Sequence, residues 1–521
     1  MNPAAQPGPA GPRRVVVIGG GLAGITAAIA LAESGAQVTL LEARPRLGGA
    51  TCSFARDALT VDTGQHIYLG CCSAYRGLLD KLGMTDHAPL QRRFDVTVLA
   101  PGGRRARLRR TALPGPLHML PALSRYAFLS LAERALASRP ALAMRALDPA
   151  DPALDAQRFG DWLAARGQDE RARRALWDLF TVSALNIAGD DASLALAATV
   201  VKTGLLGKND AADIGVPALP LGELHGDAGA TLLAQLGAQV HLNAKVTAIE
   251  PMSLEGNGDI PPAIYRVSLA RPAGSEGAAE ATELTADAVV LAVPHEAAAR
   301  LIPRGALPSA TVDGWAGLGA SPIVNVHVIY DRPVTDLPFA AAVDSPVQWV
   351  FDRTRISGLS RSGTGAGQQY LAISLSAADE YVDVPAAQLR DRFVPALAEL
   401  FPAAREAEVT EFFVTRERRA TFRQAPGTAA LRPKPATRLP GLVLAGAWTD
   451  TGWPDTMESA VRSGLAAAIE LRQTVLSASG LSRTGSSRAG YSPTGQSRSG
   501  YYDSGLSGSE ANAPASTMEV P

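Results

Sequence analysis

The chain has 521 residues, 46% of them hydrophobic and 19% charged, with 49 Lys plus Arg against 50 Asp plus Glu. That length accommodates two or three domains, and the composition is that of a globular protein able to bury a large core. A formal net charge of -1 leaves no basic excess for a nucleic-acid partner. Cys52, Cys71 and Cys72 form neither a disulfide framework nor a zinc-ligand spacing, so free thiols in a reducing cytoplasm and no bound metal are expected. Residues 1–12 are Ala/Pro/Gly-rich, without the apolar centre of a signal peptide, and are expected to be disordered. No apolar run reaches the roughly 18 residues of a spanning helix, so membrane contact is expected only as peripheral.

The first element is the apolar, mostly β-branched run Val15–Ile18, which reads as a buried parallel strand. Gly19, Gly21 and Gly24 follow as a G-x-G-x-x-G turn opening a helix over Ile25–Ala32, and a second strand, Val38–Leu41, ends at Glu42. Together these parts make a dinucleotide fingerprint. Gly19 permits the tight turn, Gly21 lets backbone approach a pyrophosphate, and Gly24 lets the helix pack on the strand. The helix N-terminus then faces the phosphates, and Glu42 stands where a carboxylate binds ribose hydroxyls. Such a fingerprint suits NAD and FAD equally.

Next comes Arg44-Pro-Arg46-Leu-Gly48-Gly49-Ala50-Thr51, two arginines beside a glycine pair suited to further diphosphate contact. Val61–Leu69 carries the polar cluster Asp62-Thr-Gly64-Gln65-His66 inside an apolar stretch, which is expected to face a ligand or line a cavity. Two strands are expected about the Pro101-Gly-Gly turn, ending in the basic run Arg104–Arg110 beside the amphipathic Leu123–Leu136. That pairing of charge and apolar surface is a candidate for contact with anionic lipid. Phe159–Leu206 and Asp227–Leu236 read as helical, and Val240–Glu250 as a strand pair. With Ala286–Val293, that pair is expected to join the sheet of the opening fingerprint. Ser321–Asp331, Val347–Asp352 and Tyr370–Leu375 alternate as strands of a second sheet. Leu442–Ala445 is a late parallel-type strand, followed by the turn Gly446–Pro454 and a helix from Met457 to about Thr474. From about Ser477 the Ser/Gly-rich tail has almost no aliphatic residues and is expected to be disordered.

The strand–turn–helix at Leu442–Gly464 resembles the C-terminal flavin motif of the amine-oxidase and phytoene-desaturase superfamily, and Arg44–Thr51 matches that superfamily's R-x-G-G segment. Within it, Asp62–His66, Ser321–His327, Pro346–Arg353 and Thr451–Pro454 resemble the squalene-associated FAD-dependent desaturases, a group that contains hydroxysqualene dehydroxylase. The likeness runs from Val15 to about Arg472.

The resemblance implies an α/β fold with a discontinuous Rossmann-like FAD-binding domain (13–75, 225–300 and 437–475). A mixed-sheet substrate domain with a helical cap (76–224 and 301–436) is interleaved with it. The implied cofactor residues are Gly19, Gly21, Leu22, Ala23 and Gly24 at the first turn, then Glu42, Ala43, Arg44, Arg46, Gly48, Gly49, Ala50 and Thr51. Gly64, Gln65 and His66 follow, with Val246 at the adenine and Gly446, Trp453 and Met457 at the flavin end. The family's Gly-Asp is Gly446-Ala447 here, and Asp450 is the candidate to replace that carboxylate.

The implied reaction is reductive removal of the hydroxyl of hydroxysqualene, with hydride passing from reduced FAD to an allylic carbon. Departure of the hydroxyl needs a proton donor, for which Asp62, His66 and Asp450 are candidates. Trp448 and Trp453 are candidates to flank the flavin ring. NADPH is the candidate reductant, bound transiently because no second fingerprint is present. The implied setting is the cytoplasm or the inner face of the membrane, beside other squalene-pathway enzymes. The alternatives are a carotenoid-type desaturase or isomerase, a flavin amine oxidase, and a non-catalytic flavin-fold partner.

Overall fold

The computed structural model describes residues 13–252, 264–270, 283–359 and 367–476; both stretches expected to be disordered, 1–12 and the tail from 477, lie outside the described residues. Arg14–Ile18 is the central strand of a five-stranded, wholly parallel sheet. Gln37–Leu41 and Gln239–His241 follow on one side of it, Ala288–Leu291 and Leu442–Leu444 on the other. Val15–Ile18 is apolar throughout because both faces of the strand are covered: its exposures run from 0% to 4%. On one face lie the helices Leu22–Glu33 and Met457–Leu471, joined in one core by Ile25, Leu31, Val461 and Leu471. They approach closely at Gly464, where a Cβ would stand 2.3 Å from the carbonyl oxygen of Ala23.

The strand pair expected at Val240–Glu250 divides between two sheets. Gln239–His241 extends the parallel sheet, whereas Val246–Met252 turns away into a three-stranded antiparallel sheet with Ile264–Leu269 and Glu283–Ala286. Asn243 between them, at φ 55°, allows that change of direction.

The second large sheet is mixed and has seven strands, in the order Val409–Thr421, Ser321–Tyr330, Gln369–Leu375, Trp349–Asp352, Phe339–Ala342, Asp95–Ala100 and Arg104–Arg109. Its one parallel pair is Phe339–Ala342 with Asp95–Ala100. Helices over 120–205 cap this sheet. The amphipathic Leu123–Leu136 is not one helix: Leu120–Ser124 and Leu131–Leu136 are separate, and Ser130 starts the second with a capping box to Glu133. All three cysteines are free. Among the described residues, no helix is long and apolar enough to cross a membrane.

Candidate functional site

Two cavities meet at the carboxyl ends of the parallel strands, where open α/β sheets bind ligands. The first, about 650 Å³, runs along the opening turn past Glu42, Val246 and Pro294 to Gly446. The three fingerprint glycines play different parts in it. A Cβ at Gly24 would fall 1.8 Å from the Gly19 carbonyl oxygen, and one at Gly19 would fall 2.3 Å from that of Ala292. Gly21 is different, since its Cβ would meet only the Cα of Gly49, at 3.8 Å. Protein packing therefore demands glycine at positions 19 and 24, while the space beside Gly21 belongs to the cavity. Gly21 offers no side-chain cap to its helix, and the N–H groups of Leu22, Ala23 and Gly24 have no partner among the described residues. They are free to donate to an anion.

The second glycine pair lies directly beside the first. Gly48 N–H donates to Gly20 O at 2.8 Å, and Gly49 would clash with the Cα of Gly21 if it carried a Cβ, at 2.9 Å. Both run at positive φ, 105° and 59°, which favours glycine. Ala43, Arg44 and Ala50 line the same groove. Glu42 also lines it, but its carboxylate is held from behind, accepting from Gly20 N–H (2.7 Å) and Arg44 N–H (2.8 Å).

The second cavity, about 280 Å³, is an apolar chamber beyond the groove. Ile67, Ile323, Trp349 and Phe351 form much of its wall, with Gly48, Thr51, Gly64, Gln65, His66 and Met457 at its edge. Leu22, Ala50, Ala447 and Asp455 line both cavities, so they mark the junction. Gln65 Oε1 and His66 Nδ1 are buried without hydrogen-bond partners, and burial lowers the pKa of His66, keeping its ring neutral. An unpaired buried amide oxygen and ring nitrogen at a cavity edge suit a polar ligand group.

Several expected site residues stand elsewhere. Asp62 lines neither cavity, because its carboxylate is occupied by Arg353, Ser53 Oγ (2.6 Å) and Leu221 N–H (2.9 Å). Asp450 is exposed and also lines neither cavity, so it does not replace the missing carboxylate at Ala447. Arg46 is exposed outside both cavities, near Glu417. Trp453 lies under the guanidinium of Arg462 (4.8 Å), outside both cavities. Trp448 borders the groove but is fixed in the core, donating Nε1–H to Val293 O (2.9 Å) and packing edge-on against Trp315. No Trp448/Trp453 pair flanks the chamber.

Three site residues were not anticipated. Asp455 lies at the junction, two positions before the helix that starts at Met457. Its Oδ2 accepts from Phe422 N–H (2.9 Å), and Oδ1 has no partner among the described residues. Burial pushes its carboxyl up to about 6, opposed by that hydrogen bond and by Arg432. Glu417 lines both cavities, and desolvation raises its pKa also. Arg432 is buried and donates to the carbonyls of Ala447 (3.0 Å), Trp448 (3.3 Å) and Thr449 (2.6 Å), clamping the loop after Gly446. An acid two residues ahead of the Met457 helix was a visible signal for Asp455; nothing local to Arg432 marked it.

The crossed glycine segments and free helix N–H groups define a dinucleotide-binding site with a largely apolar chamber adjoining it. Residues 22–471 match the model of the flavin containing amine oxidoreductase family, and the chain belongs to that family. It is therefore an FAD-dependent oxidoreductase, and the groove's shape and donors fit that cofactor. Among its relatives is hydroxysqualene dehydroxylase of Rhodopseudomonas palustris, 29% identical over 466 residues that cover 88% of this chain and 97% of the relative. The protein of the same name from Sinorhizobium fredii is 28% identical over 470 residues, 88% and 98% of the two chains. A solved putrescine oxidase with putrescine bound shares the fold, with a TM-score of 0.64 at 18% identity over 88% of this chain and 99% of that one.

Proposed function

We propose that the protein reductively removes the hydroxyl of hydroxysqualene, giving squalene and water in triterpene and hopanoid biosynthesis. The observation that carries this reading is the apolar chamber opening at the end of the dinucleotide groove, with two part-buried carboxyls, Glu417 and Asp455, at the junction, of which Asp455 is raised to about 6. The names of the two relatives above support the same substrate class.

The segments 13–75, 225–300 and 437–475 form the FAD-binding domain in this reading, and 76–224 with 301–436 the substrate domain. Leu22, Ala23 and Gly24 N–H groups hold the diphosphate beside Gly21, Gly48 and Gly49. Glu42 would hold the adenosine ribose, and the N-terminus of the helix that starts at Met457 would hold the flavin. Bound FAD, when reduced, supplies a hydride to the allylic carbon. As the C–O bond breaks, Asp455 gives its proton to the departing hydroxide, and water leaves. His66, neutral in the chamber edge, accepts a hydrogen bond from the substrate hydroxyl at Nδ1 and orients it. Trp349 and Phe351 exclude water from the developing allylic cation and offer it an electron-rich face. NADPH would be the source of the electrons.

The test is incubation of FAD-loaded protein with hydroxysqualene and NADPH under argon, followed by chromatography of the lipid extract. Squalene is the expected product. Intact bound FAD with no squalene, from NADPH or from chemically reduced enzyme, would overturn the reading.

A further inference from the structure

The basic run Arg104–Arg110 singled out in the sequence is largely consumed by ion pairs. Arg107 and Arg109 pair with Asp95, Arg110 with the buried Asp213, and Arg104 with Asp344. A different surface emerges from the helices that follow. Among the described residues seven large apolar side chains are exposed, and five of them are Leu113, Leu117, Leu120, Leu131 and Leu142. Leu131 is 80% exposed and Leu142 64%. Their elements pack in series: Leu120–Ser124 lies on Arg104–Arg109, Leu131–Leu136 on Leu120–Ser124, and Ser138–Arg145 on Leu131–Leu136.

Arginines outnumber acids along this stretch, and the exposed Asp148 and Asp151 follow it in sequence. Residues 113–147 contain Arg125, Arg134, Arg139 and Arg145 against a single acid, Glu133. Glu133 is buried, caps its own helix through Ser130 and lies 3.5 Å from Arg171. Arg134 is also committed, donating to the carbonyls of Leu129 and Ser124. Arg125, Arg139 and Arg145 remain exposed, and no ion pair joins them to an acid among the described residues. Exposed leucines interspersed with unpaired arginines are the pattern of an interfacial membrane binder.

We propose that this face of the cap docks on an anionic lipid bilayer, its leucines entering the headgroup boundary and its arginines pairing with lipid phosphates. A bilayer fits better than a protein partner because the leucines are spread over several short segments rather than along one helix, while the unpaired arginines ask for an anionic surface. Beneath the face lies the core cluster of Ala122, Phe128 and Leu129, which also contains Trp349 and Phe351 of the chamber wall. Docking would thus place one apolar layer between lipid and chamber. The inference rests on the surface alone, not on the substrate reading.

The test is sedimentation of the FAD-loaded full chain with vesicles of phosphatidylcholine, or of phosphatidylcholine with one quarter phosphatidylglycerol. Binding is expected to the anionic vesicles and to weaken with salt. Leu131→Glu with Leu142→Glu is expected to lower the partition coefficient roughly tenfold or more, with flavin absorbance and melting temperature unchanged. Arg139→Gln with Arg145→Gln is expected to bring binding down to the level on neutral vesicles. That second pair decides the matter should the leucine variant fail to fold. Wild-type protein left in the supernatant by both vesicle types, or variants that bind as wild type does, would overturn the proposal. So would a dimer that the leucine variant converts to monomer without any vesicle binding, since the face would then belong to a second copy.

Discussion

Arg353 donates to Asp62 across 291 positions of the chain, and the pair is closed from solvent, with side-chain exposures of 8% and 3%. It ties the end of the strand Trp349–Asp352, which carries chamber residues Trp349 and Phe351, to the strand Leu59–Asp62, which leads into the chamber's polar edge. Two motifs that looked like separate signatures in the sequence are the halves of one structural joint. Removing one partner of a buried pair leaves the other charge stranded, at a cost of about 3–5 kcal/mol. Arg353→Met is therefore expected to lower stability by that amount in urea unfolding. Asp62→Asn with Arg353→Met should recover much of the loss. A single variant as stable as wild type would show that the pair does not hold the two segments together.

The glycines of the opening turn divide by cause. Gly24→Ala drives a Cβ into the Gly19 carbonyl at 1.8 Å, so it is expected to destabilise the fold by about 2 kcal/mol or more, flavin or no flavin. A Cβ at Gly21 meets no protein atom closer than 3.8 Å, so Gly21→Val is expected to destabilise the apoprotein much less than Gly24→Ala does while flavin retention is lost. Flavin content per protein and the apoprotein melting temperature together separate the two cases. Equal flavin occupancy in Gly21→Val and wild type would contradict the placement of the diphosphate.

Glu42→Ala does more than remove a ribose contact. The carboxylate accepts Gly20 N–H at 2.7 Å and Arg44 N–H at 2.8 Å, so its loss strands a buried donor inside the turn that shapes the groove. A stranded donor costs about 1–3 kcal/mol. Glu42→Ala is expected to lower apoprotein stability by that amount, and Glu42→Gln by less, because the amide oxygen still accepts one bond. Isothermal unfolding of the flavin-free proteins checks this. An unaltered Glu42→Ala apoprotein would return Glu42 to a purely ligand-facing role.

What was legible in the chain was whatever is decided by neighbours in sequence. The Val15–Glu42 strand–turn–helix–strand is written locally, and so are the late strand at Leu442 and the helix at Met457. The alternation of Ser321–Asp331 and Tyr370–Leu375 likewise marked two strands that do pair. Partnerships made across the fold were not legible. Asp62 looked like a catalytic acid because its partner Arg353 is remote, and Asp450 looked like a substitute carboxylate because nothing local shows that it faces solvent. Arg432 follows an unremarkable loop, yet it clamps the three carbonyls of Ala447, Trp448 and Thr449. The clamp gives that turn a cation-held backbone where the family resemblance implied a carboxylate.

Asp455 ties the chemistry to an observable pH dependence. Its carboxyl is raised to about 6 from the usual 3.8, chiefly because the junction desolvates it. The folded state therefore holds this proton more tightly than the unfolded state does. Below about pH 4 both states are protonated and the residue costs nothing. As pH rises from 4 to 6 the unfolded chain ionises first, so stability falls, and above 6 the full penalty of about 3 kcal/mol applies. Asp455→Asn keeps an oxygen to accept from Phe422 N–H and carries no charge. It is expected to be more stable than wild type at pH 7.5, by up to that amount, and no more stable at pH 4. In its proposed role as proton donor to the leaving hydroxide, it should also cost turnover about 100-fold or more when made Asn, and the pH–rate limb near 6 should vanish. Flavin content should not change. A variant that gains stability at neutral pH yet keeps both turnover and the limb would leave Asp455 a buried charge without a chemical role, and would move the proton donor to another group at the chamber edge.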